Sequence, residues 1–69
     1  MISRLCAIGE RIRAEREAQK LSQEELGKAT RLGRSRIDQI EHGAYDTDLD
    51  DLLLIEHVLD VPLADLIAD

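Results

Sequence analysis

The sequence predicts an all-α domain of five short helices, and three observations predict it. Tyr45 is the only aromatic residue, so the core must come from leucine and isoleucine, a composition that favours small packed helices. The stretch Leu21 to Gly43, LSQEELGKATRLGRSRIDQIEHG, reads as two short helices joined by a tight turn. Sixty-nine residues make a single domain, 1–69, and so short a chain buries only roughly 60% of its unfolded surface.

A first helix is expected over 8–19, with Met1 to Cys6 either a ragged lead-in or an extra turn. Ile8 and Ile12 mark its buried face, while Glu10, Arg11, Arg13 and Glu17 are solvated. Arg13 and Glu17 stand at i, i+4 spacing, a surface pair worth a few tenths of a kcal/mol. Arg16 lies one turn beyond Ile12 on the same side. An inward-leaning arginine needs a partner, and Glu41 is the best candidate; the alternative is that Arg16 snorkels to water.

Ser22 is a good N-cap for a second helix, and Glu25 three residues later can complete a capping box. Leu26 and Ala29 give that helix its apolar face. A break follows around Arg31-Leu32-Gly33. A third helix spans 34–41, with Ile37 and Ile40 as its buried stripe and Gly43 as its stop. Arg34, Ser35, Asp38 and Gln39 remain on its outer faces. Such a helix suits the DNA major groove, where arginine can bond guanine and glutamine can bond adenine in bidentate fashion.

The loop 44–47 leads to Asp48, which can cap a fourth helix over 49–59, and Asp50 and Asp51 suit the dipole of its first turn. This helix carries Leu49, Leu52, Leu53, Leu54, Ile55, Val58 and Leu59, more than one face of a small monomer can bury. Leu54 is expected to be exposed or to lie in a partner interface. Pro62 ends the run near Asp60 and can open a fifth helix, with Leu63, Leu66 and Ile67 as its apolar face. The excess apolar surface of the last two helices implies a homodimer, with Leu54, Val58, Leu63 and Ile67 at the interface.

Net charge is −6, which by itself argues against a nucleic-acid partner. Its distribution argues the other way. All nine Lys and Arg lie in residues 1–43, against seven acids there, whereas residues 44–69 hold eight acids and no base. Local field matters more than net charge at a docking surface. Lys28, Arg31, Arg34 and Arg36 form the one basic patch, with no acid between them. The acidic half reads as a solvated face, or as a docking surface for a basic partner protein.

Other function classes find little support. The longest branched-aliphatic run, Leu52 to Ile55, falls far short of the ~20 apolar residues a membrane helix needs. MISRLCAIGE has no hydrophobic core long enough for a signal peptide, so a soluble cytosolic protein is expected. Cys6 has no second cysteine to pair with and reads as a buried reduced thiol. His42 and His57 read as surface residues. No metal-ligand spacing, cofactor motif, glycine-rich phosphate loop or nucleophile–base pair is present, so neither a metal nor a cofactor nor catalysis is expected.

The signals SQEEL at 22–26, RSRIDQIEHG at 34–43 and VPLADL at 61–66, preceded by IGERIRAERE from Ile8, resemble the helix-turn-helix family of phage repressors and Cro proteins. The resemblance runs from about Ile8 through Leu66, with the motif at about 22–43. It implies the five-helix lambda repressor-like fold and binding to double-stranded DNA, usually as a dimer on a palindromic operator. It also implies that Arg34, Ser35 and Gln39 read bases, and that Arg36 contacts a base or a phosphate. Gln23 would bond a phosphate or brace the recognition helix, and Lys28 and Arg31 lie where phosphates run. Arg16 and Glu41 match a buried ion pair tying the first helix to the third.

The sequence departs from the family at four places. Arg31 stands where glycine is common in the turn, and a non-glycine residue with positive φ costs roughly 1 kcal/mol there. Thr30 replaces a core aliphatic. Gly33 replaces a Ser or Thr cap. Tyr45-Asp46-Thr47-Asp48 replaces a basic or small polar loop, so either that loop turns away from DNA or affinity is modest. The expected function is a transcriptional regulator, a repressor in its simplest form. The alternative is a protein-interaction module on the same fold, antitoxin-like, that binds a partner through its acidic half and exposed leucines.

Overall fold

The structure, a computed structural model, describes residues 4–44 and 46–62. It contains four α-helices: α1 (Arg4–Ala18), α2 (Gln23–Thr30), α3 (Arg34–Glu41) and α4 (Leu49–Leu59), with no strand among the described residues. The expected fifth helix, with Leu63, Leu66 and Ile67, lies outside the described residues. α3 and α4 have the expected bounds. α1 starts four residues earlier than expected, so the lead-in is helical from Arg4. Its added turn lies against the end of α3: a Cβ on Gly43 would come within 2.8 Å of Cys6 Sγ. Cys6 is accordingly half-buried rather than buried.

Each helix ends for a local reason. The chain turns after α1 at Lys20, which takes the left-handed conformation, while the Leu21 N–H returns to the Arg16 carbonyl at 3.1 Å. The capping box of α2 is complete: Ser22 Oγ accepts from the Glu25 N–H at 3.0 Å, and Glu25 Oε1 accepts from the Ser22 N–H at 2.9 Å. Those bonds from Ser22, backbone first, hold the Glu25 carboxyl below the usual carboxylate range. Asp48 caps α4 by accepting from the Asp51 N–H at 2.9 Å. Asp60, left-handed at φ 57°, closes that helix ahead of Pro62.

Ile8, Ile12, Leu26, Ile37, Ile40, Leu52, Ile55 and Leu59 form one core to which all four helices contribute. Leu49, Leu53 and Leu54 stay exposed, the first of them 58% so. Leu54 is therefore as exposed as expected, whereas Val58 leans partly onto the core. One expectation for α2 fails. Ala29 faces solvent, and the buried positions are Leu26, Gly27 and Thr30. Thr30 is tolerated inside because its hydroxyl donates to the Leu26 carbonyl at 2.8 Å and accepts from the Leu32 N–H at 3.3 Å. A buried hydroxyl costs little once it is bonded.

Two glycines mark where backbones meet. A Cβ on Gly9 would fall 2.5 Å from the Ile40 carbonyl oxygen, and one on Gly27 would fall 2.5 Å from the Gly33 carbonyl carbon. These contacts press α1 against the end of α3, and α2 against the start of α3. The third helix is thereby seated from both sides, and its remaining face is left open.

Candidate nucleic-acid interface

α3 has one face in the core and one face out. Ile37 and Ile40 are fully or almost fully buried. Arg34, Ser35 and Gln39 are exposed. Three of the side chains proposed to read bases thus share the open side of a helix whose other side is clamped.

The clamp is a polar network. Arg16 Nε donates to Glu41 Oε2 at 2.7 Å, and Arg16 Nη2 donates to Glu41 Oε1 at 3.1 Å. A third bond runs from Arg16 Nη1 to the Leu21 carbonyl at 2.8 Å. The Glu41 side chain is 2% exposed. This bidentate pair raises the Arg16 pKa above its ordinary value, against the opposing effect of burial. It joins α1 to the C-terminal end of α3, as the sequence suggested from the need to partner an inward arginine.

Gln23 completes the network. Its Nε2 group donates to Asp38 Oδ1 and to Glu41 Oε1, each at 3.1 Å. Of its two expected roles, the structure shows the brace. Both N–H bonds of the amide are spent on α3, so a side-chain bond to phosphate requires them to be given up. Next to this brace, an open groove is lined by Arg13, Ser22, Gln23, Glu24, Arg34 and His42. Arg13 was expected only to be a solvated partner of Glu17, and it does lie 3.5 Å from that carboxylate. Its position in the groove beside Arg34 depends on how α1 crosses α3, which no local pattern records.

Arg36 departs most from expectation. It was placed among the base-reading residues, but its side chain is only 22% exposed and is held by acids from the following loop and helix. Nη2 donates to Asp51 Oδ2 at 3.0 Å, and Nη1 to Asp46 Oδ1 at 3.1 Å. Both hydrogen bonds raise the Arg36 pKa, that of Asp51 most. The acidic loop therefore turns one carboxylate, Asp46, onto α3 and another, Asp48, onto the N-terminus of α4, while Asp51 reaches α3 from the first turn of α4.

Lys28 and Arg31 are exposed. Lys28 lies 3.6 Å from Glu24 on the same helix. Arg31 caps α2 in the left-handed conformation, φ 64°, and its N–H returns to the Lys28 carbonyl at 3.2 Å. Among the described residues no group of three His, Cys, Asp or Glu side chains could hold a metal ion. No helix among them is long and apolar enough to cross a membrane.

A family model described as helix-turn-helix matches residues 12–66. The chain belongs to the helix-turn-helix family. The match runs through the capped α2, the turn and α3. A curated relative, the uncharacterized HTH-type transcriptional regulator y4dL of Sinorhizobium fredii, is 41% identical over 56 residues. That alignment covers 81% of this chain but 29% of the relative, so this helix-turn-helix chain spans under a third of that protein's length. Among solved structures, the restriction-modification controller protein C.AhdI from Aeromonas hydrophila is similar at a TM-score of 0.84 and 34% identity. It covers 90% of this chain, and the match extends over 94% of C.AhdI. The family consists of DNA-binding regulators of transcription, not enzymes.

The turn of this helix-turn-helix motif holds Arg31 in the left-handed conformation, at φ 64°. Arg31→Gly relieves a side chain at positive φ and is expected to stabilise the fold by about 1 kcal/mol, which for a chain of this size raises Tm by about 4–8 °C. A thermal melt checks it. A variant that melts no higher than the parent shows that the turn accommodates arginine without strain.

Proposed function

We propose that this helix-turn-helix protein is a sequence-specific transcriptional repressor that binds a palindromic operator as a homodimer. The observation that carries this reading is the open face of α3, which presents Arg34, Ser35 and Gln39 while Ile37 and Ile40 anchor it from behind. Early residues of a recognition helix point into the major groove. Arg34 there donates to a guanine edge, and Ser35 and Gln39 read neighbouring positions. Lys28 and Arg31 contact flanking phosphates and supply affinity without sequence information. Arg13 joins them through the groove it shares with Arg34.

Leu49, Leu53 and Leu54, which are exposed on α4, support the dimer, with Val58, packed partly onto the core, one turn beyond Leu54. A two-fold pair would set two copies of α3 in successive major grooves, about 34 Å apart on one side of the duplex. Repression is then steric, since the occupied site excludes polymerase or a competing regulator, and it takes place in the cytosol of a bacterial cell. The likeness to a restriction-modification controller makes restriction-modification genes one candidate set of targets.

Selection of binding sites from random duplex DNA, followed by salt titration, tests this reading. The expected result is a two-fold symmetric site with half-sites one turn apart, and binding that weakens steeply with salt. Weak, unpatterned binding would defeat the reading and turn attention to protein partners of the exposed leucines. On the selected site, Arg34→Ala is expected to cost about 1–3 kcal/mol and to relax one base position. An equal loss on random DNA would make Arg34 a phosphate contact instead.

A further inference from the structure

We infer that Arg36 is a positioning residue that sets which base Gln39 reads: it claims the oxygen of the Gln39 amide and leaves only N–H donors to face DNA. The inference rests on the DNA-binding reading proposed above. The guanidinium is held on two sides. Asp51 Oδ2 accepts from Nη2 at 3.0 Å and from Nε at 3.3 Å. Asp46 accepts through Oδ1 from Nη1 and through its carbonyl from Nη2, each at 3.1 Å. With those bonds in place, Nη1 also donates to Gln39 Oε1 at 3.2 Å. Asp51 is itself well rooted: its side chain is 15% exposed, and its N–H is bonded to the Asp48 cap.

A guanidinium has donors and no acceptor. The amide beside it must therefore turn its oxygen toward Arg36 and its nitrogen away. Bidentate pairing of glutamine with adenine uses both amide atoms, the oxygen accepting from N6 and the nitrogen donating to N7. With its oxygen turned toward the guanidinium, the amide directs its N–H donors the opposite way, and the oxygen's second lone pair stays on the Arg36 side. The purine edge that takes donors alone is guanine's, where N7 and O6 both accept. Gln39 in this setting suits guanine, whereas an unconstrained glutamine at the same place would suit adenine. Asp46 and Asp51 set the preference indirectly, by keeping Arg36 folded back.

The experiment is site selection from random duplexes with the full chain and two variants. Gln39→Ala identifies the position that Gln39 reads, as the one whose preference collapses. Arg36→Lys keeps a cation for Asp51, but a single ammonium cannot span Asp51, Asp46 and Gln39 at once. At that position the parent is expected to favour guanine over adenine, and Arg36→Lys to shift the ratio toward adenine by about fivefold or more. A parent that favours adenine, or a ratio unchanged by Arg36→Lys, overturns the inference. A purely structural Arg36 would weaken all sites alike.

A second measurement needs no DNA. Nitrogen NMR of the free protein is expected to give separate signals for the two Nη groups of Arg36, with Nη1 moving in Gln39→Ala. A single averaged signal, or one indifferent to Gln39→Ala, also overturns the inference. A parent that enriches no sequence defeats the DNA-binding reading instead, and the NMR result then decides whether Arg36 holds the Gln39 oxygen.

Discussion

Arg16→Ala is expected to leave little folded protein at room temperature. The substitution removes one member of a buried pair and strands the Glu41 carboxylate, whose side chain is 2% exposed. Breaking such a pair from one side costs about 3–5 kcal/mol. A chain below about 70–80 residues rarely draws more than 3–5 kcal/mol from its single core, so the loss is comparable with the whole stability. It also opens the bond to the Leu21 carbonyl, which steadies the chain between α1 and α2. Circular dichroism with a denaturant titration reads the effect. The pair's contribution is one of geometry more than of net energy, because desolvation offsets most of the Coulomb gain. Arg16→Met combined with Glu41→Leu is therefore expected to recover most of the loss. A single variant as stable as the parent would mean that water enters and solvates the remaining charge.

Gly9→Ala is expected to cost about 1–3 kcal/mol, the usual range for an added methylene in a packed site, although alanine is the better helix former. Helix propensity alone favours the substitution by about 1 kcal/mol. Against it stand the Ile40 carbonyl oxygen at 2.5 Å from the added Cβ and the Glu41 carbonyl beside it. Both are backbone atoms at the end of α3, so relief requires α1 and α3 to part. Parting them also stretches the Arg16–Glu41 pair and shifts the open face of α3. Weaker DNA binding should therefore accompany the lower Tm. A Gly9→Ala protein that is more stable than the parent would show that the two helices slide apart at no cost.

Much of the fold was legible because it is written locally. Ser22 and Glu25 spell a capping box within four residues. Ile37 and Ile40 mark one face within a single turn, and Asp48 caps a helix that starts at the next residue. The same local logic failed for Ala29, where i, i+3 spacing from Leu26 suggested burial. The turn of α2 against α3 instead favours the i+4 position, so Thr30 went inside and brought its hydroxyl bond with it. α1 begins four residues before the expected start, and its added turn lies against Gly43, far along the chain, a contact no local pattern records.

By itself, the sequence determined a helical chain with a capped motif between Ser22 and Gly43, a basic patch on its first half and an acidic second half. It also offered Glu41 as the best partner for an inward Arg16, against the alternative that Arg16 snorkels to water; the structure decides for the pair. Only the tertiary structure decided where Arg36 and Gln23 spend their donors. Arg36 meets Asp46 and Asp51, ten and fifteen residues on, and Gln23 meets Asp38 and Glu41 across the motif. The physical reason is that a helix's own face follows from a period of 3.6 residues, whereas the partner of an exposed polar group depends on how helices cross and how loops return. An arginine on a recognition helix reads the same in sequence whether it reaches toward DNA or folds back onto an aspartate.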